Sequence, residues 1–174
     1  MPAEINYILR RIQQGDVDAM NDLYVLTKRG VFSFILPYVH DVHLTEDIMQ
    51  ETYLKVFQHI DQFTPKTNGL NWILTIAKHT AFNLIKLRQR EQSIDVQTFQ
   101  DTLSGGYDTY NMDSPTILKI KEILPEDEAT IVLLHAVGEY KHREIASILN
   151  VPLGTITWKY NKAMKTLREV LQDE

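Results

Sequence analysis

The sequence predicts an all-α chain: two small helical domains joined by an acidic linker, the second domain carrying a helix-turn-helix. Three observations predict it. Apolar residues recur at helical spacing through most of the 174 residues, and the strict alternation of a half-buried strand is missing. Gly105-Gly106 lies in a polar stretch poor in aliphatics, the mark of a connection between domains. Asn150-Val151-Pro152 sets a tight turn between two apolar-periodic segments. The expected division is residues 1–92, a linker at 93–113, and residues 114–174.

In chain order, Ile5 to Gln14 and Asp18 to Tyr38 read as two helices separated by Gly15-Asp16. A third runs from Thr45, a suitable N-cap, to Ile60, with Glu46 and Asp47 at the positive end of its dipole. Phe63 to Asn71, containing Pro65 and Gly69, reads as a loop, and a fourth helix covers Asn71 to Arg90. Ser114-Pro115 restarts helix with a cap and a proline at the first helical position. Leu124-Pro125 breaks that helix and opens another, followed by His142 to Leu149 and a last helix from Leu153 to Leu171.

Composition narrows the function. Without cysteine there is no disulfide framework, thiol nucleophile or cysteine zinc site. Met1 to Tyr7 lacks the basic-then-apolar pattern of a signal peptide. No run approaches the ~18 apolar residues of a membrane helix. No membrane insertion and a cytoplasmic location are therefore expected. A phosphate-cradling glycine loop and a nucleophile motif are missing, and the carboxylates form no recognisable spaced pair. Neither an enzyme nor a cofactor is expected. His40 and His43 near Glu46 could hold a metal, but surface polarity is the simpler reading.

The net charge of −5 counts against non-specific nucleic-acid binding, but the charges are segregated. Residues 64–90 hold no acid and carry Lys66, Lys78, Lys86, Arg88 and Arg90. Residues 151–168 also lack acid and carry Lys159, Lys162, Lys165 and Arg168. Between them, residues 91–115 hold five acids and no Lys or Arg.

The last helix sets Ile156, Tyr160, Ala163, Met164, Leu167, Val170 and Leu171 on one stripe. Thr155, Trp158, Lys159, Lys162 and Thr166 lie opposite, where hydroxyls, ammonium groups and an aromatic can meet bases and phosphates. Trp158 stacks on a base or packs on a neighbour. In the fourth helix, Trp72, His79, Asn83, Lys86 and Arg90 share one face, beside a core face of Ile73, Ile76, Ala77, Thr80, Leu84 and Leu87. Such a face suits opened nucleic acid, with burial the simpler role for Trp72. The third helix buries Ile48, Met49, Tyr53, Val56, Phe57 and Ile60 and turns Asp47, Gln50, Glu51, Leu54 and Gln58 outward. That face repels DNA. It either docks on a protein or is simply solvated.

Thr45 to Phe57 resembles the core-binding motif in region 2 of bacterial sigma factors. Trp72-Ile73-Leu74-Thr75-Ile76-Ala77-Lys78 resembles the start of their promoter-melting helix. Leu124-Pro125, Glu144-Ile145-Ala146, Gly154-Thr155-Ile156 and Lys162 to Arg168 resemble region 4. With nothing matching a separate third domain, the chain resembles the two-domain, extracytoplasmic-function type. The resemblance implies that Asp47, Gln50, Glu51 and Leu54 bind the clamp helices of the largest subunit of core RNA polymerase. It implies −10 contacts from Lys66, Asn68, Trp72, Lys78, His79, Asn83, Lys86 and Arg90. It implies −35 contacts from Arg143, Thr155, Thr157, Trp158, Lys159 and Lys162. Promoter DNA and an anti-sigma factor are the further partners it implies, and the acidic linker would thread the polymerase's positive channel. Departures fall mostly on DNA-facing positions: Lys78-His79 for Arg-Asn, Asn83 and Lys86 for Asp and Arg, Ala129 for Arg, and Thr157-Trp158-Lys159-Tyr160 in the recognition helix. The alternative reading is a helix-turn-helix regulator that binds duplex DNA alone, usually as a dimer.

Overall fold

A computed structural model describes residues 2–92 and 115–172. The acidic linker expected at 93–113 and the Ser114 cap lie outside the described residues. Among those residues the chain forms α1 (Pro2–Gln13), α2 (Ala19–Val39), α3 (Val42–Gln58), a 3-10 turn (Ile60–Gln62) and α4 (Gly69–Gln92). After the linker come α5 (Pro115–Ile123), α6 (Glu126–Ala136), α7 (His142–Leu149) and α8 (Leu153–Gln172). The described residues contain no strand, as the periodicity predicts.

Two helices organise the molecule. α2 packs on α1, α3 and α4, and α6 packs on α5, α7 and α8. α2 and α6 also pack on each other. Their sequences require neighbours on every side. Gly30 to Pro37 are consecutively buried in α2, and Glu128 to Leu134 in α6. A helix apolar all round is stable only when covered all round. The buried hydroxyls bond back along their own helices: Thr27 to the Leu23 carbonyl at 2.6 Å, Ser33 to Arg29 at 2.7 Å, Thr130 to Glu126 at 2.7 Å. These donors are thus not left unpaired in the core.

Two helix starts differ from expectation. Asp41, not Thr45, caps α3: its carboxylate accepts from the Leu44 N–H at 2.7 Å. Thr45 is buried inside the helix and donates to the Asp41 carbonyl at 2.6 Å. The cause is His40, which ends α2 in the left-handed conformation with φ 59° and reverses the chain in two residues. α4 starts at Gly69 rather than Asn71, because the Asn68 side chain accepts from the N–H groups of Leu70 (3.1 Å) and Asn71 (3.3 Å).

The expected apolar stripes hold apart from Phe57, Leu87 and Val170, which are exposed. Phe57 lies roughly 110° from the centre of its stripe. Leu87 and Val170 lie toward the C-terminal ends of α4 and α8. Leu171 lies outside the residues whose side chains are described.

Candidate docking face and nucleic-acid interface

α3 turns Asp47, Gln50 and Leu54 to solvent and leaves Glu51 half-buried. Leu54 is 57% exposed, and Phe57, 43% exposed, lies one turn further along. An exposed leucine and phenylalanine among carboxylates make a face that water solvates poorly and DNA repels. Periodicity places Phe57 with the core, but its position at the stripe edge leaves it exposed. Two polar ties fasten this face to α4. Lys55 Nζ lies 3.4 Å from Glu51 Oε1 and donates to Thr80 Oγ1 at 3.3 Å, and Arg88 lies 3.9 Å from Asp47.

On α4, Lys78, His79, Asn83 and Lys86 are all exposed. Trp72 is half-buried, tilted against Phe63 at 5.3 Å between ring centroids, so it follows the simpler expectation. Lys78 Nζ sits 5.8 Å from the ring centre of the exposed Phe82. Lys66 is exposed in the preceding loop, whereas the side-chain oxygen of Asn68 is engaged as the helix cap. The Arg90 side chain lies outside those described.

α1 holds this loop in place. Asn6 donates to the Thr67 carbonyl at 2.8 Å and accepts from the Gly69 N–H at 2.8 Å. Gln13 donates to the carbonyls of Ile60 (2.9 Å) and Phe63 (2.8 Å). Neither residue was singled out from sequence. The signal was there: amides beside Ile5 and Ile12, at the rim of α1's buried stripe.

In the C-terminal half, Asn150 takes the left-handed conformation (φ 53°, ψ 47°) that its place in the turn calls for. The Glu144 carboxylate accepts from the Lys141 N–H at 2.9 Å and fixes the start of α7. α8 presents Trp158, 61% exposed, with Thr155 half-buried one turn before it. Lys162 Nζ lies 5.7 Å from the Trp158 ring centre.

The lysines of α8 are not free cations. Lys159 pairs with Asp127, and Lys162 donates to Glu128 at 2.6 Å. The Lys159 hydrogen bond holds the Asp127 carboxyl below its ordinary range. Glu128 is 4% exposed, a buried carboxylate whose ammonium partner comes from the recognition helix. Thr157 is half-buried, 3.5 Å from His142 Nδ1. Asn161 and Lys165, which sequence reasoning did not select for this surface, are exposed on α8.

Behind this surface, His135, His142 and Tyr160 pack tilted and edge-on, with ring centroids 4.6 to 5.0 Å apart. His135 Nδ1 lies 2.8 Å from the Tyr140 carbonyl, which can only accept, so that nitrogen carries the proton. Burial, then the neighbouring His135, holds His142 below the ordinary histidine value. Arg143 is exposed on α7, and it lines a cleft with residues of the N-terminal half.

An acidic face with exposed apolar residues backed onto a basic helix, with a helix-turn-helix in the second half, is the chemistry of a helical protein suited to meet another protein and DNA. Known proteins place it further. Sigma-70 region 2 matches residues 23–91 and sigma-70 region 4 matches residues 116–167. The chain is 24% identical to the ECF RNA polymerase sigma factor SigW of Bacillus subtilis, over 95% of each chain. It is 26% identical to the ECF RNA polymerase sigma-E factor of Escherichia coli K12, over 95% of this chain and 93% of that one. Its fold resembles CnrH solved with the cytosolic domain of CnrY (TM-score 0.68, 13% identity, 97% of each chain). It also resembles RpoE solved with the anti-sigma factor NepR from Bartonella quintana (TM-score 0.62, 21% identity, 89% of this chain and 97% of that one). The chain belongs to the sigma-70 family of RNA polymerase sigma factors, of the extracytoplasmic-function type, and directs transcription initiation from promoters.

Proposed function

We propose that the α3 face of Asp47, Gln50, Glu51 and Leu54, extended by Phe57, docks on the clamp helices of the largest polymerase subunit. The observation that carries this is an exposed leucine–phenylalanine pair among acids, tied through Lys55 and Arg88 to the basic helix behind it. A regulator that bound DNA alone would gain nothing from an acidic face fastened to its DNA-facing helix. Lys66, Lys78, His79, Asn83, Lys86 and Arg90 engage the −10 region, with Asn68 and Trp72 shaping the loop. Thr155, Trp158 and Asn161 read the −35 element, with Arg143 on phosphate. Lys159 and Lys162 serve DNA only by leaving Asp127 and Glu128. The protein does no chemistry of its own and works in the cytoplasm, where polymerase is. An anti-sigma factor is a further partner.

Reconstitution tests the assignment. Core polymerase plus this protein should start transcription at a defined promoter that core alone ignores. Glu51→Lys should weaken core binding roughly tenfold or more, a loss of about 1.4 kcal/mol or above, with an unchanged helical circular dichroism spectrum. Unaltered core affinity would remove the α3 face from the polymerase interface.

A further inference from the structure

The exposed pole of α8 is a single stripe. Gly154, Trp158, Asn161 and Lys165 are all exposed and follow one another at helical spacing. A Cβ added at Gly154 would meet nothing within 4 Å, so the face one turn before the indole is open. Trp158 stands on the second turn of the helix that a helix-turn-helix lays in the major groove. Its ring is exposed but not loose. Lys162, one turn on, sets its Nζ 5.7 Å from the ring centre. The same Nζ donates to Glu128 Oε1 at 2.6 Å. Glu128 is buried in the first turn of α6. The contacts thus run from a carboxylate held in the core, through an ammonium, to the face of the indole, where a cation is attracted by the ring's electrons.

We propose that Trp158 reads the 5-methyl group of a thymine in the −35 element, and that Lys162, anchored on Glu128, positions the ring for it. The inference rests on the sigma reading above. Among the four bases only thymine shows the major groove an apolar group, its 5-methyl beside the O4 acceptor. The indole offers an apolar surface and one N–H donor, with no acceptor. Cytosine and adenine would set amino donors against a ring that cannot receive them, and guanine would set two acceptors against one donor. Each of those pairings takes a polar group out of water and leaves it unmatched, which costs affinity. A freely rotating tryptophan would also lose affinity, because its ring would have to be ordered as DNA arrives. The ammonium removes that cost by holding the ring beforehand. In direct contact with phosphate, Lys162 would have to leave Glu128 and would release the ring. Held on Glu128, it is a positioning residue, and the base contact belongs to Trp158.

Holoenzyme assembled from core polymerase and the full chain tests this. Selection from a promoter library with a randomised −35 element should return a thymine at one fixed position. Deoxyuridine at that position removes only the methyl group. It should weaken promoter binding by wild-type holoenzyme roughly fourfold, the factor for one buried carbon group. Trp158→Ala should bind the thymine and deoxyuridine promoters alike. Since the ring is exposed, that variant should keep an unchanged helical circular dichroism spectrum. Lys162→Gln should bring the thymine-to-deoxyuridine ratio toward one with Trp158 still in place. Lys162→Arg, which keeps a cation for Glu128, should restore the ratio. Wild-type holoenzyme indifferent to deoxyuridine at every −35 thymine would overturn the proposal, as would a methyl effect that persists in Trp158→Ala. A full ratio in Lys162→Gln would overturn the positioning role. If the library returns no −35 preference at all, the sigma reading itself falls. A −35 preference without methyl dependence leaves that reading standing and removes only the thymine contact.

Discussion

The lysines of the recognition helix show how far a residue's role depends on a distant partner. By helical angle Lys159 and Lys162 belong to the exposed face of α8, and from sequence they read as phosphate contacts. In the fold they meet Asp127 and Glu128, in the first turn of α6. Periodicity reports which side of its own helix a residue occupies, but not which helix lies alongside. The correction has a stability consequence. Glu128 is buried, so removing its ammonium partner leaves a carboxylate without charge compensation. We expect Lys162→Met to destabilise the C-terminal half by about 1–3 kcal/mol, read as a lower denaturant midpoint with unchanged slope. A substitution that weakened only DNA contact would leave the midpoint alone. Trp158, by contrast, was legible: it stands on the exposed pole of the helix and is 61% exposed.

At the scale of elements, the helices were legible wherever an apolar stripe and a breaker coincided. Asn150-Val151-Pro152 and Leu124-Pro125 end helices where expected, since proline and a left-handed asparagine act locally. The start of α3 was not legible from Thr45, because the deciding event is the reversal at His40 and the cap supplied by Asp41. The junction of α6, α7 and α8 yields a pH prediction. His142, beside His135 and Tyr160, has its folded value held below the ordinary 6.5. The unfolded chain therefore takes up the proton first as pH falls. His142's contribution to stability is full above about pH 6.5 and is lost as pH drops through the lower folded value. The thermal midpoint should thus fall between about pH 7.5 and about pH 5.5, and His142→Gln should flatten that part of the profile. An equal fall in the variant would assign the effect to other groups.

For the whole molecule, the sequence predicts two domains and a linker but not how the domains sit together, and the structure packs α2 on α6. The hint lay in the two helices without a polar face, Gly30 to Pro37 and Ala129 to Leu134. An all-round apolar segment announces that it is covered on both sides, but not by what. Gly30 itself reads as a helix-weakening residue until Tyr140 is found lying on it. Since α2 and α6 share one core, the wild-type protein should unfold in a single calorimetric transition. Gly30→Ala should separate that transition into two. A single transition in both proteins would mean that the interface survives the substitution.

The seat of Tyr140 on Gly30 also carries an obligation of reciprocity. Whatever binds only when the two helices are apart must loosen that contact by the same factor by which the contact opposes its binding, because the two equilibria share one thermodynamic cycle. The tyrosine ring would then report on whether the two helices are together. Its hydroxyl, shielded from water when the helices are together, would regain an ordinary phenol's acidity as they part.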